Sequence, residues 1–322
     1  MSFTITPAPG LDPLDLIARD GQPVNERRRG RIPLAPYLYV LPAIAMLVIW
    51  IYKPLVETIE LSFYSWNLLP TAPKQPVGFD NYLALLHDKE LGKALVNTGI
   101  YIATFLVCSV ALPLLIAMLS RRVHGRAKTI YQALIFVPFL VTPVAAAATW
   151  NWLFSPYEGI IGETIEALFG ADIGNIFQSS PGAMIAIMVI VSWQLLGFGV
   201  LVINAGLSGI SPDYAEAAAM DGSGRGRIFR RITMPLLSPT IMFLVLMTIL
   251  LSAQWTFPMI DILTQGGPVG STNNIYYLLY ESAFMSFDAG RAGAAGTLFF
   301  IVFGLIAVGL VKLSDRLSFY DN

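Results

Sequence analysis

Long apolar runs separated by short polar and charged segments set the pattern of this chain. A helix needs about 20 mostly apolar residues to cross the roughly 30 Å hydrocarbon core of a bilayer. Six windows meet that length: residues 32–52, 94–120, 129–157, 173–212, 232–260 and 292–311. The fourth exceeds one span, and Pro181-Gly182 and Ser208-Gly209 mark its entry and exit. A seventh charge-free window, 262–280, contains Thr264-Gln265-Gly266-Gly267-Pro268 and Ser271-Thr272-Asn273-Asn274. Lipid would leave the backbone groups of such segments unsatisfied, so an external loop is expected there. The predicted fold is an all-α polytopic membrane protein with six transmembrane helices. A polar, proline-containing tail (1–35), read as disordered, precedes a membrane domain (36–313), and a short tail (314–322) follows it.

Composition sharpens this picture. Of 322 residues 55% are hydrophobic and 13% are charged, with a mean hydropathy of +0.64. A soluble domain carries about 25% charged residues, so two compact soluble domains are excluded. The net charge of −1 matters less than its distribution. Fifteen of the twenty Lys and Arg residues fall in the N-terminal tail, in the 121–128 and 225–231 loops and at the C-terminal end; the alternate loops hold only Lys53, Lys74, Lys89, Lys93 and Arg291. The positive-inside rule then places both termini in the cytoplasm.

Much chemistry is missing. The lone Cys108 and the distant His87 and His124 offer no thiolate or zinc site. The basic residues are split into short clusters, which argues against nucleic-acid binding. The glycine-rich stretch 222–227 lacks the Lys-[Ser/Thr] ending of a phosphate-cradling loop, and no nucleophile signature is present. The chain is therefore expected to be neither an enzyme nor a nucleotide hydrolase, with no metal and no cofactor of its own. A self-sufficient channel or secondary carrier, the alternative from another class, would place ionisable residues in mid-membrane. The span interiors hold essentially none; Glu57, Glu60 and Asp261 sit at span ends.

The loop over 206–235 carries the clearest signal. Ser211 is suited to cap a helix with Pro212 in its first turn, Asp213 favours the positive end of the helix dipole, and Ala215 to Ala219 favour helix. Gly222 should end that helix, and a second, basic helix leads into the fifth span. Glu216-Ala217-Ala218, three residues, Gly222, nine residues, Ile232, one residue, Met234-Pro235 resembles the E-A-A-x3-G-x9-I-x-L-P loop of binding-protein-dependent ABC importer permeases, with Met234 in place of Leu. Residues 37–54 with Ser62-Phe63-Tyr64, Gly78-Phe79-Asp80-Asn81-Tyr82, Trp193 and Leu263 to Pro268 resemble the carbohydrate-type permeases, among them maltose-type and glycerol-phosphate-type importers.

The resemblance implies a type I ABC importer permease fold in a bacterial cytoplasmic (inner) membrane. It also implies a second homologous permease, two ABC ATPase subunits carrying ATP and Mg, and an extracytoplasmic solute-binding protein. Glu216, Ala217, Ala218, Asp221 and Gly222 would form the coupling helix and its turn, and Gly222→Asp should leave the chain inserted but uncoupled. The spans that line the cavity in that family correspond here to the fourth and fifth. Gln194 and Phe198 lie four apart on one face, and Thr248, Ser252 and Thr256 form an i, i+4, i+8 stripe beside Trp255. These six are the candidate solute contacts, set against interhelical packing as the structural alternative. No span interior supplies Arg or Lys for a phosphate, which favours a sugar, oligosaccharide or polyol over a glycerol phosphate. Pro113, Pro138, Pro143 and Pro258 are candidate bends, and Trp150, Asn151 and Trp152 a candidate interfacial belt.

Overall fold

The computed structural model describes residues 34–120, 123, 125–155, 159–169 and 176–317. The expected N-terminal tail lies outside these residues up to position 33, and so does the C-terminal tail from 318. The described chain is helical apart from one small hairpin, β1 (Tyr64–Ser65) antiparallel to β2 (Gln75–Pro76).

Five single helices are long and apolar enough to cross a membrane, and a bent pair raises the count to as many as six. The first, α1 (Tyr37–Leu61), contains a π-helical turn at Val48–Tyr52. After the hairpin come the short α2 (Asp80–Leu86), the span α3 (Lys89–Leu119), the bent pair α4 (Arg126–Leu140) and α5 (Pro143–Leu153), and α6 (Ile160–Phe169). Then follow the span α7 (Ser180–Ser208), the short α8 (Asp213–Met220), α9 (Arg225–Thr264), the short α10 (Ile275–Tyr280) and α11 (Ala289–Leu317). At 1.5 Å per residue, the 40 residues of α9 reach about 60 Å from end to end.

Two elements depart from the pattern expected of the sequence. The third window is not one straight span: α4 and α5 meet at 92°. Val141 and Thr142 are both extended there, and a residue before proline is held out of the helical region, so Pro143 starts a new helix instead of continuing the old one. The window expected as an external loop is irregular only over 265–274; Asn274 caps α10 by accepting from Tyr277 N, and the remainder is helical. In addition, α11 runs to Leu317, into the segment expected as a tail.

Prolines also shape the helices internally. Three π-helical turns close one residue ahead of a proline, with N–H groups of Lys53, Leu112 and Met234 bonding back five residues to Val48, Val107 and Phe229. Pro54, Pro113 and Pro235 follow directly, and a proline ring displaces the carbonyl four residues back. A widened turn accommodates that displacement without ending the helix.

The bundle over 57–322 is organised around α7. Its glycines permit contacts that no larger residue would. A Cβ on Gly197 would stand 2.2 Å from Ile135 O of α4, and one on Gly199 would stand 2.1 Å from Ser109 O in the widened turn of α3. Ile187, Ile190, Val191 and Leu195 of α7 then bury with Tyr101 and Phe105 of α3 and Met259 of α9 in the largest apolar cluster.

Candidate functional site

At one end of α9 the 206–235 loop forms as its residues dictate. Asp213 N donates to Ser211 Oγ at 3.3 Å, so Ser211 caps α8 from just ahead of Pro212. The other end closes in a Schellman motif: Ser223 N donates to Ala218 O and Gly222 N to Ala219 O, both at 3.0 Å. Gly222 has φ +77°, the left-handed region, and a Cβ there would meet nothing within 4 Å. The demand for glycine at this position is therefore set by the backbone and not by space. Glu216, Ala217, Asp221 and Gly222 are exposed and Ala218 is half-buried, while Tyr214 and Met220 present exposed apolar surface. Under α8 lies a cavity of about 370 Å³ lined by Lys128, Asn204, Ser211, Ala215 and Thr233, so the helix is not packed down onto the bundle along its length. The second helix is not a separate element: it runs through the π-helical turn Phe229–Thr233 directly into α9.

The six candidate solute contacts fall into two sets. Gln194 is fully buried, and its Nε2 donates to Val141 O at 3.0 Å and to Pro138 O at 3.4 Å. It thus satisfies the Val141 carbonyl left open where α4 ends and adds a second, longer bond to Pro138 O, which already accepts from Val141 N at 3.2 Å, while its Oε1 is buried without a partner. Thr248, Ser252 and Thr256 are buried and donate to Leu244 O, Ile249 O and Ser252 O, each at 2.7 Å. Thr248 also shares a hydrogen bond with Ser109 of α3 at 2.7 Å, and Thr256 Oγ1 accepts from Asn274 Nδ2 at 2.6 Å. The remaining two residues are aromatic partners of the helix break. Phe139 stacks between Phe198 of α7 (centroids 4.8 Å) and Trp255 of α9 (5.0 Å).

Thus Gln194, Phe198 and Trp255 gather at the α4–α5 break, whereas Thr248 faces Ser109 of α3, Thr256 faces Asn274 of the 265–274 loop and Ser252 bonds within α9. Trp193 lies at the same level, is largely exposed, and meets Trp150 edge-on at 5.8 Å. Trp150 therefore packs in the bundle, whereas Trp152 is exposed as an interfacial residue would be. Gln254, one position from Trp255, is exposed on the opposite side of α9.

Sequence reasoning passed over a third group. At the far end of α9 the 265–274 loop is tied to α3 by side chains that carried no motif. Asn97 Nδ2 donates to Gly270 O at 3.2 Å and to Asn273 O at 2.8 Å, Tyr101 Oη donates to Thr272 O at 3.0 Å, and Thr98 Oγ1 accepts from Ile275 N at 3.1 Å. The available signal was spacing: Asn97, Thr98 and Tyr101 share a face of a span that is otherwise apolar. Among the described residues no group of three or more His, Cys, Asp and Glu gathers as metal ligands would.

Comparison with known proteins gives a consistent result. Residues 100–318 match the family described as "Binding-protein-dependent transport system inner membrane component". The sn-glycerol-3-phosphate transport system permease protein UgpA of Escherichia coli (strain UTI89 / UPEC) is 34% identical over 285 residues, covering 88% of this chain and 95% of that protein. Its counterpart in Yersinia enterocolitica is 31% identical over 286 residues, covering 87% and 92%. Among solved structures, a chain of a bacterial ABC transporter that imports the acidic polysaccharide alginate superposes with a TM-score of 0.75 at 22% identity, covering 88% of this chain and 95% of that one.

Proposed function

The chain belongs to the binding-protein-dependent transport system inner membrane components, and from that premise we propose a translocation subunit driven from the 206–235 loop. It is a multi-pass permease subunit of an ABC-type importer in the bacterial inner membrane. It acts on a polar solute, and it carries no nucleotide-binding motif of its own. In the proposed arrangement both termini and the arginine-rich end of α9 face the cytoplasm. A second, homologous permease completes the pathway, two ATPase subunits with ATP and Mg supply the energy, and an external solute-binding protein delivers the cargo.

The observation that carries the reading is the geometry of α8. Glu216, Ala217 and Asp221 stand exposed on a short, capped helix whose turn at Gly222 leads without interruption into α9. A partner gripping α8 would act directly on α9, and α9 packs against α3, α7 and α11. Closure of the ATPases would then rock these helices as bodies and turn the cavity from one side to the other. Glu216 offers a carboxylate to a donor in the ATPase cleft, and Ala217 and Ala218 let its surface approach closely.

For the solute, we favour a neutral sugar, oligosaccharide or polyol, since the described span interiors hold no Arg or Lys to meet a phosphate. Phe198 and Trp255 with Gln194, Thr248, Ser252 and Thr256 are the proposed wall of the pathway, reached when the ladder on Phe139 opens. A glycerol-phosphate solute is the second reading, favoured by the identity to the sn-glycerol-3-phosphate permeases. The test is reconstitution with both permeases, the ATPases and the binding protein, comparing uptake of labelled disaccharide, polyol and sn-glycerol 3-phosphate. Saturable uptake of the phosphate ester alone would select the second reading, and no ATP-dependent uptake of any solute would remove both.

A further inference from the structure

The end of α9 remote from α8 holds a preformed polar socket. The 265–274 loop takes left-handed backbone at two adjacent pairs of residues: Gln265 (φ +48°) with Gly266 (+78°), and Val269 (+52°) with Gly270 (+69°). A positive φ at a β-branched residue is a true outlier, yet the loop is held in this shape by Asn97, Tyr101 and the Thr264–Thr272 hydroxyl pair (2.8 Å). The result is a rigid prominence with Val269 86% exposed at its tip, beside a cavity of about 290 Å³. Gly266, Gly267 and Gly270 line one side of that cavity, and Glu90, Lys93, Asn273 and Glu281 supply its polar groups.

The charges in the socket do not balance. Glu281 Oε2 accepts from Asn273 Nδ2 at 2.7 Å, but among the described residues no donor reaches its Oε1. Partial burial and the neighbouring Glu90 push the Glu281 carboxyl above its usual range. Arg291 of α11 lines an adjoining cavity with Glu90 and Glu281, but its charge is offset by Asp88, to which its Nη2 is paired. Two carboxylates and the single Lys93 ammonium leave one negative charge over. Asn273, only 7% exposed, is held behind the cavity wall with its Nδ2 on Glu281 and its Oδ1 buried without a hydrogen-bond partner. One further cation that brings N–H groups would balance the charge and donate to Glu281 Oε1.

We propose that this socket receives a lysine or arginine side chain of the solute-binding protein, with Val269 as the apolar knob beside it. The inference rests on the importer reading above. The socket lies about 60 Å along α9 from the arginine-rich end, among the charged residues Asp88, Lys89, Glu90, Lys93, Asp288 and Arg291, which cap spans rather than face lipid. A neighbour within the membrane would have to bury those charges, whereas a water-soluble protein arriving from outside meets them with its own.

The test uses the complete transporter purified in lipid nanodiscs, titrated with the solute-loaded binding protein of the same importer at low and physiological salt. Glu281→Gln should weaken binding about tenfold, Glu90→Gln two- to fivefold with a shallower salt dependence, and Glu90→Lys more than either. Glu90 is exposed and its side chain holds no structural hydrogen bond, so its variants separate docking from folding. Wild-type affinity and salt dependence in both Gln variants would overturn the proposal while leaving the importer reading in place. The same preparation reports on that reading separately: a wild-type chain that purifies without ATPase subunits would overturn it, and the socket proposal with it.

Discussion

The 206–235 loop, proposed above to couple transport to the ATPases, and the α4–α5 break are built on opposite principles. At the loop, every structural feature is local: Ser211 caps, the alanines propagate, Gly222 turns, and the partners of each backbone group lie within five residues. At the break, little is local. The carbonyl freed at Val141 is satisfied by Gln194, more than fifty residues away, and Phe139 is fixed between rings from two other helices. An exposed region, as one proposed to meet another protein should be, is free to be shaped by its own sequence alone. A region that must bend inside the bundle has to be supported from outside itself. The difference predicts that lesions at the loop break coupling while leaving the chain folded, and lesions at the break unsettle the fold first.

The largest effect is expected at the closest approach behind the break. Gly199→Val and Gly197→Val would each drive a side chain into a carbonyl just over 2 Å from the added Cβ, so the bundle must part. Loss of accumulated, membrane-inserted protein on quantitative blotting is the expected outcome. Normal levels with normal uptake would show that α7 does not pack as described.

Next comes Gly222. Because a Cβ there meets no neighbour, Gly222→Val strains only the backbone, by about 1–2 kcal/mol for the left-handed conformation. The chain should remain inserted while ATPase co-purification and uptake fall at least tenfold. Asn and Asp both tolerate the left-handed region, so Gly222→Asn should largely retain coupling. A loss confined to Gly222→Asp would mark the added charge, and not the turn, as the fault. If Gly222→Val were to lower thermal stability as much as uptake, the contrast between the two regions would fail.

Gln194 offers a sharper comparison. Gln194→Leu leaves the Val141 carbonyl without its donor, while Pro138 O keeps Val141 N; this costs about 1–3 kcal/mol and should lower the melting temperature in detergent. The solute-contact proposal adds a raised KM for uptake, and a variant with lowered stability but unchanged KM would remove Gln194 from the pathway wall. The smallest effect belongs to Thr248→Val. It removes one interhelical hydrogen bond to Ser109, worth about 0.6 kcal/mol within a membrane, and a melting shift of a degree or two should be its only trace. A shift as large as that of Gln194→Leu would place the wedge between α3 and α9 on a par with the break.

Much of this was legible in the residues. Ser211, the alanines and Gly222 announced a capped helix and its turn because capping, propensity and the need for a left-handed backbone act within one or two turns. Pro181 and Ser208 marked the ends of α7, which runs from Ser180 to Ser208. The third window could not be read in the same way. Pro138 and Pro143 were visible as possible bends, but whether two prolines curve a helix or split it at 92° depends on what receives the released carbonyls. The answer, Gln194, stood out only as a polar residue in an apolar span. In isolation a ligand and a clasp look alike.

The sequence by itself determined that this is a membrane protein, where its apolar segments lie and how the exposed helix α8 is made. Hydrophobic length, charge placement and cap chemistry are properties of contiguous residues, and lipid or water answers them the same way in any fold. Only the tertiary structure decided that the third segment breaks, that Gln194, Phe198 and Trp255 converge on that break, and that Glu90, Asn273 and Glu281 meet in one socket. Those arrangements join residues tens to nearly two hundred positions apart. Their energies come from satisfying buried donors and acceptors across helices, and no local pattern encodes which distant group will do so.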